Sequence, residues 1–170
     1  DGLLIGSALA QPRFLVHRDF HSRNLMCTAE GQLAVIDFQD AVLGPATYDA
    51  VSLLKDCYLR WPRERVVGWA LAYRDALCDA ALLPAVDDAT FLRWFDWMGL
   101  QRHLKVLGTF ARLALRDGKT QYLQDLPLVV DYVQEAFALY AGEDPALDAA
   151  GAWFEHRLLP VILRQPWSRG

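Results

Sequence analysis

A carboxylate, a carboxamide and a second carboxylate stand in order at Asp19, Asn24 and Asp37, five and then thirteen residues apart. They are set in Val16-His17-Arg18-Asp19-Phe20-His21-Ser22-Arg23-Asn24-Leu25-Met26 and in Leu33-Ala34-Val35-Ile36-Asp37-Phe38-Gln39. These residue types suit transfer of a phosphoryl group to a hydroxyl. The attacking hydroxyl needs a carboxylate to orient it and accept its proton, and Asp19 fits that role. The charge of a triphosphate is neutralised best by magnesium, which prefers hard oxygen ligands and keeps several waters, so one carboxylate and one amide oxygen suffice. Asp37 and Asn24 fit that role. His21, two residues after Asp19, is a candidate phosphate contact. The cofactors expected are ATP and Mg2+.

The elements that must position these groups are short. Phe14 to His17 reads as an apolar strand leading into the polar loop. Leu25 to Thr28 and Leu33 to Asp37 read as a hairpin around Ala29-Glu30-Gly31-Gln32. After Pro45 the pattern is helical. Thr47 is an N-cap candidate for a helix through Tyr58, ended by Trp61-Pro62. Arg63 to Leu83 is a second helix stopped by Pro84, and Asp87 or Asp88 opens a third that runs to Arg116 and ends at Asp117-Gly118. Leu126 to Ala141 and Pro145 to Gln165 complete the set, and Pro160 should kink or end the last helix.

The same residues admit other readings. His17-x-Asp19-x-His21 could hold zinc on one face of an extended segment, as in a metal hydrolase, although Cys27 stands alone and His103 and His156 are distant in sequence. A polar turn between two strands is the plainest alternative.

The order His17-Arg18-Asp19 with Asn24, followed by an apolar strand ending in Asp37-Phe38, has the spacing of a kinase catalytic loop and its metal-binding Asp. Here the chain resembles the aminoglycoside phosphotransferase and choline kinase group, whose members share the protein-kinase fold. Only eleven residues separate Asp37 from Asp49, too few for a phospho-regulated activation segment. Within the group, the segments Ile36 to Ala41, Tyr48 to Tyr58 and Gln101 to Gly108 are most similar to bacterial cell-wall amino-sugar kinases. Those enzymes phosphorylate the anomeric hydroxyl of N-acetylmuramate and N-acetylglucosamine. The resemblance covers residues 12–127.

The resemblance implies a mainly α fold with a small β-hairpin, the C-terminal catalytic lobe of a protein-kinase-like (α+β) fold over residues 1–170. Its expected partners are a small amino sugar and the N-terminal nucleotide lobe of the same protein. Asp1 to Gln11 hold no G-x-G-x-x-G loop and no Lys to pair with a helix Glu, so the chain reads as part of a longer kinase, with little activity alone. Aminoglycoside or choline acceptors are the alternatives, and a kinase-like binding module without catalysis is the alternative of another class. By resemblance, Asp49 braces the catalytic loop together with His17; otherwise Asp49 is a first-turn carboxylate favouring the helix dipole by about 0.3–1 kcal/mol. Arg23, Arg102 and His103 are candidate substrate contacts. Trp69, Tyr73, Phe91, Trp94, Phe95 and Trp97 read as core rather than as a sugar platform.

Composition sets outer bounds. At 170 residues and 54% hydrophobic, the chain can build a sizeable core. A net charge of −4 argues against a nucleic-acid partner, which demands basic excess. Cys27, Cys57 and Cys78 form no C-x-x-C pair and read as reduced thiols, which points to the cytoplasm. No apolar run approaches the length of a membrane span.

Overall fold

Helix α1 (Gly2–Leu9), strands β1 (Arg13–Val16), β2 (Leu25–Cys27), β3 (Leu33–Val35) and β4 (Val42–Pro45), and helices α2 (Tyr48–Leu54) and α3 (Arg63–Asp79) follow one another from the N-terminus. Helix α4 (Asp88–Asp117), α5 (Leu126–Leu139), α6 (Pro145–Trp153) and α7 (Leu159–Ile162) complete the order in this computed structural model, which describes residues 2–169. The chain divides into two units, Asp1–Gly99 and Leu100–Gly170. The fold is mainly α with small antiparallel sheets, as the sequence predicts.

The hairpin closes where its glycine stands. Gly31 adopts φ 76°, a left-handed conformation that costs glycine little. Its N–H donates to Thr28 O at 3.0 Å, and Thr28 N donates to Gln32 O at 2.8 Å. Strands β2 and β3 then pair antiparallel with Leu25 opposite Val35. A second ribbon, not anticipated, pairs β1 with β4, Val16 opposite Val42. Its partners lie 26 residues apart at their closest, with the polar loop and the hairpin between them. A Cβ at Gly44 would come within 2.6 Å of Val16 Cγ2, so the ribbon needs a glycine there.

Helix α2 is shorter than expected and stops at Leu54. Thr47 occupies the N-cap position, yet its hydroxyl donates to Gln11 Oε1 at 2.8 Å instead of serving the helix amides. Beyond α2, Lys55 turns inward: its Nζ meets Asp96 Oδ1 at 3.1 Å, and Arg63 grips both Asp96 oxygens at 2.5 and 2.6 Å. That buried cluster, whose members lie 41 residues apart in sequence, overrides the stop signal at Pro62. Helix α3 ends at Asp79, before Leu83, because the N–H groups of Leu82 and Leu83 fold back to Leu77 O at 2.9 and 3.2 Å. This return buries Leu83 with Val51, Val66, Ala70, Phe91, Phe95 and Met98, the core of the first unit. Asp87 caps α4, accepting from Thr90 N at 2.9 Å, and Gly118 at φ 67° ends it.

In the second unit α5 buries Leu126, Val129, Val130, Val133 and Ala136, one face at helical spacing. Asp144 caps α6, its Oδ1 accepting from Ala146 N at 2.7 Å and Leu147 N at 3.2 Å. The last helical stretch is broken into α6, a π-helical turn at Phe154–Leu158 and α7. Pro160 lacks an N–H, and its ring would clash with the His156 carbonyl in an α-helix; the wider π turn relieves that clash. Among the described residues no helix is long and apolar enough to cross a membrane.

Candidate active site

Strand β1 delivers the chain to His17, where Asp49 takes hold of it. From the first turn of α2, Asp49 Oδ2 accepts from His17 N at 2.6 Å and Oδ1 accepts from Arg18 N at 3.0 Å. Arg18 lies at φ 77°. A left-handed conformation costs a non-glycine residue on the order of 1–3 kcal/mol, so it persists only where the surroundings impose it. The carboxylate that satisfies two successive N–H groups is that imposition. The His17 ring bonds Ile36 O through Nε2 at 2.9 Å, which ties the loop to the end of the hairpin.

Asp19, Asn24 and Asp37 come together. A 3-10 turn at Ser22–Asn24 reverses the chain after Asp19. Asn24 Nδ2 then donates to Asp19 O at 2.9 Å and to Asp37 Oδ2 at 3.3 Å. Ile36 N donates to Asn24 O at 3.1 Å, setting the end of β3 beside the loop. Asp37 is the second left-handed residue of the site, at φ 67°, and its Oδ1 accepts from Gln39 Nε2 at 2.7 Å. The carboxylates of Asp19 and Asp37 are exposed. An exposed carboxylate beside an amide is a pair of hard oxygen donors, the set that suits magnesium with its remaining positions held by water and phosphate.

The zinc reading fails. Among the described residues no three of His, Cys, Asp and Glu gather around a common point. His17 Nε2 is engaged by Ile36 O, while the His21 ring stands edge-on to Tyr58, centroids 5.8 Å apart. The Nδ1 atoms of both rings are buried with no hydrogen-bond partner among the described residues.

Beyond the loop, Arg23 lies with its guanidinium carbon 3.4 Å above the Tyr58 ring centroid. The Tyr58 phenol is pushed above its ordinary range by burial first and by Cys57 second, with Arg23 pulling the other way. Ser22 Oγ donates to the buried Asp56 Oδ2 at 3.2 Å. Ser22 and Asp56 share a cavity of about 260 Å3 with Leu53, Leu54, Leu59, Trp61 and Trp69. Trp61 and Trp69 meet edge-to-face at 5.2 Å. Phe91, Phe95 and Trp97 are core, whereas Trp69 is 40% exposed and faces this cavity. Tyr73 donates its hydroxyl to Ala46 O at 3.0 Å, and burial, then Asp49, raises its phenol.

Arg102 and His103 lie in the second unit. His103 is 2% exposed and stacks flat on Tyr132, centroids 4.7 Å apart. Sequence reasoning missed Gln39 as the amide that holds Asp37, and Asp56 and Tyr58 as neighbours of the loop. Gln39 sits two residues from Asp37, the one local signal; Asp56 and Tyr58 reach the loop only through the fold.

A model of the phosphotransferase enzyme family matches residues 4–95. The N-acetylmuramate/N-acetylglucosamine kinase of Neisseria meningitidis serogroup B is 48% identical over 139 residues, 81% of this chain and 41% of the relative. The kinase of the same name from Pseudomonas putida is 47% identical over 149 residues, 88% of this chain and 42% of the relative. That of Caulobacter vibrioides is 35% identical over 153 residues, covering 88% and 39%. The chain thus spans about two fifths of the length of the curated relatives it matches.

Proposed function

The chain belongs to the phosphotransferase enzyme family, and from that premise we propose that it is the C-terminal catalytic lobe of an ATP- and magnesium-dependent kinase acting on amino sugars in the cytoplasm. The acceptor is the anomeric hydroxyl of N-acetylmuramate or N-acetylglucosamine. The names of its relatives and the extent of the match support the acceptor class. The observation that carries the chemistry is the Asn24 amide, which bonds both the Asp19 backbone and the Asp37 carboxylate.

Asp19 orients the acceptor hydroxyl and takes its proton as the O–P bond to the γ-phosphorus forms and the bond to the β–γ bridging oxygen breaks. Asn24 and Asp37 would hold magnesium, which when bound neutralises charge on the triphosphate. Asp49 fixes the backbone of His17 and Arg18 and so sets the direction in which Asp19 points. Gln39 fixes the rotation of the Asp37 carboxylate. The site is wet and exposed on this lobe, and the remaining nucleotide contacts come from the N-terminal lobe of the full-length protein.

The test is a phosphate-transfer assay of the full-length protein with N-acetylmuramate, N-acetylglucosamine, choline and an aminoglycoside, with the product position read by phosphorus NMR. The expected products are the 1-phosphates of the two sugars. Turnover of choline or the aminoglycoside, but of neither sugar, removes the acceptor assignment and leaves the phosphotransferase.

A further inference from the structure

N-acetylmuramate differs from N-acetylglucosamine by a lactyl ether that ends in a carboxylate, so a kinase of both sugars meets one acceptor with an anion and one without. We propose that Arg23 binds this carboxylate and sets the preference for N-acetylmuramate over N-acetylglucosamine. The inference rests on the acceptor class proposed above and names the residue that divides it.

Arg23 lies four positions after Asp19, which keeps their Cα atoms within about 14 Å even along an extended chain. The 3-10 turn at Ser22–Asn24 folds that path back. Arg23 is exposed, and no carboxylate among the described residues pairs with it. Asp56, the acid on the adjoining segment, is 6% exposed and takes its hydrogen bond from Ser22. The Tyr58 ring lies beneath the guanidinium carbon at 3.4 Å and holds the group in place. A stacked guanidinium keeps its in-plane N–H groups free, and that fork matches a carboxylate bidentately. The Tyr58 phenol is un-ionised at neutral pH, and burial raises it further, so the ring is a platform and not a counter-ion. His21, edge-on to the same ring, steadies it. The residue before Arg23, Ser22, opens onto the cavity of about 260 Å3, where Trp61 and Trp69 offer apolar faces and Asp56 a carboxylate.

An arginine beside a phosphoryl-transfer site could instead contact the nucleotide phosphates, and the experiment separates the two. Full-length protein and its Arg23→Gln and Arg23→Lys variants are compared in steady state with N-acetylmuramate, its neutral methyl ester and N-acetylglucosamine. In Arg23→Gln the ratio of kcat/KM for N-acetylmuramate to that for N-acetylglucosamine should fall about tenfold to a hundredfold, the range for hydrogen bonds to a charged group. The loss should lie in KM for N-acetylmuramate, the discrimination against the methyl ester should vanish, and Arg23→Lys should keep part of the ratio. An unchanged ratio, with both sugars still phosphorylated, overturns the role of Arg23 alone. So does a rise in KM for ATP that is equal with every acceptor. A wild-type protein that phosphorylates neither sugar overturns this inference together with the acceptor class.

Discussion

Asp37 carries two demands at once: a left-handed backbone and a carboxylate held by Gln39 and Asn24 amides. It is exposed and fills no core, so its replacement should spare the fold. Asp37→Ala should therefore weaken magnesium-dependent ATP binding by far more than it lowers the melting temperature, as calorimetric titration with and without magnesium would register. Equal ATP affinity of the variant and wild type in magnesium would contradict its role. Asp49 is the opposite case. Its two oxygens satisfy the N–H groups of His17 and Arg18, and a buried donor left unpaired costs about 1–3 kcal/mol. Asp49→Ala should lower both thermal stability and kcat; a variant that melts with the wild type yet stays fully active would exclude the brace. Asp19, Asn24 and Asp37 were legible because chemistry fixes their types and a short loop fixes their spacing. The stacking of Arg23 on Tyr58 was not, because it joins residues 35 apart whose types say nothing of one another.

Helices and strands were legible where local signals decide them. Gly31 closes the hairpin, Asp87 opens α4, Gly118 ends it and Pro160 disturbs the last helical stretch. The misread boundaries are those that distant residues set. Helix α2 ends early because Lys55 leaves it to meet Asp96, and β4 exists only because β1 is there to pair with it. The Lys55–Asp96–Arg63 cluster gives the element-scale prediction. Asp96 is fully buried, and Lys55 is nearly so. Removing the shared carboxylate takes a buried ion-pair partner from Lys55 and from Arg63, so Asp96→Ala should cost about 3–5 kcal/mol. The Arg74–Asp88 pair links α3 to the start of α4 at the surface, with Asp88 67% exposed, and Asp88→Ala should cost under about 1 kcal/mol. Denaturant unfolding of both variants tests the contrast, and similar losses would refute it.

At the scale of the molecule, the first unit holds the complete constellation from Asp19 to Asp49, and the family match, residues 4–95, falls within it. The second unit was legible as helices, Leu126 to Ala141 and from Pro145 onward, which the structure gives as α5 and α6. Within it His103, a candidate substrate contact, stacks on Tyr132, a pairing of residues 29 apart that only the fold creates. A net charge of −4 leaves the acceptor to local groups and not to a general field. The central claim is that this loop performs phosphoryl transfer with Asp19 as its base. The most direct measurement is steady-state turnover of N-acetylmuramate by the full-length protein and by its Asp19→Asn variant, with ATP affinity measured on both. The account predicts a loss in kcat of about 10²–10⁴-fold with ATP affinity retained. A variant that keeps more than about a third of wild-type kcat, far above what loss of a general base allows, would contradict it.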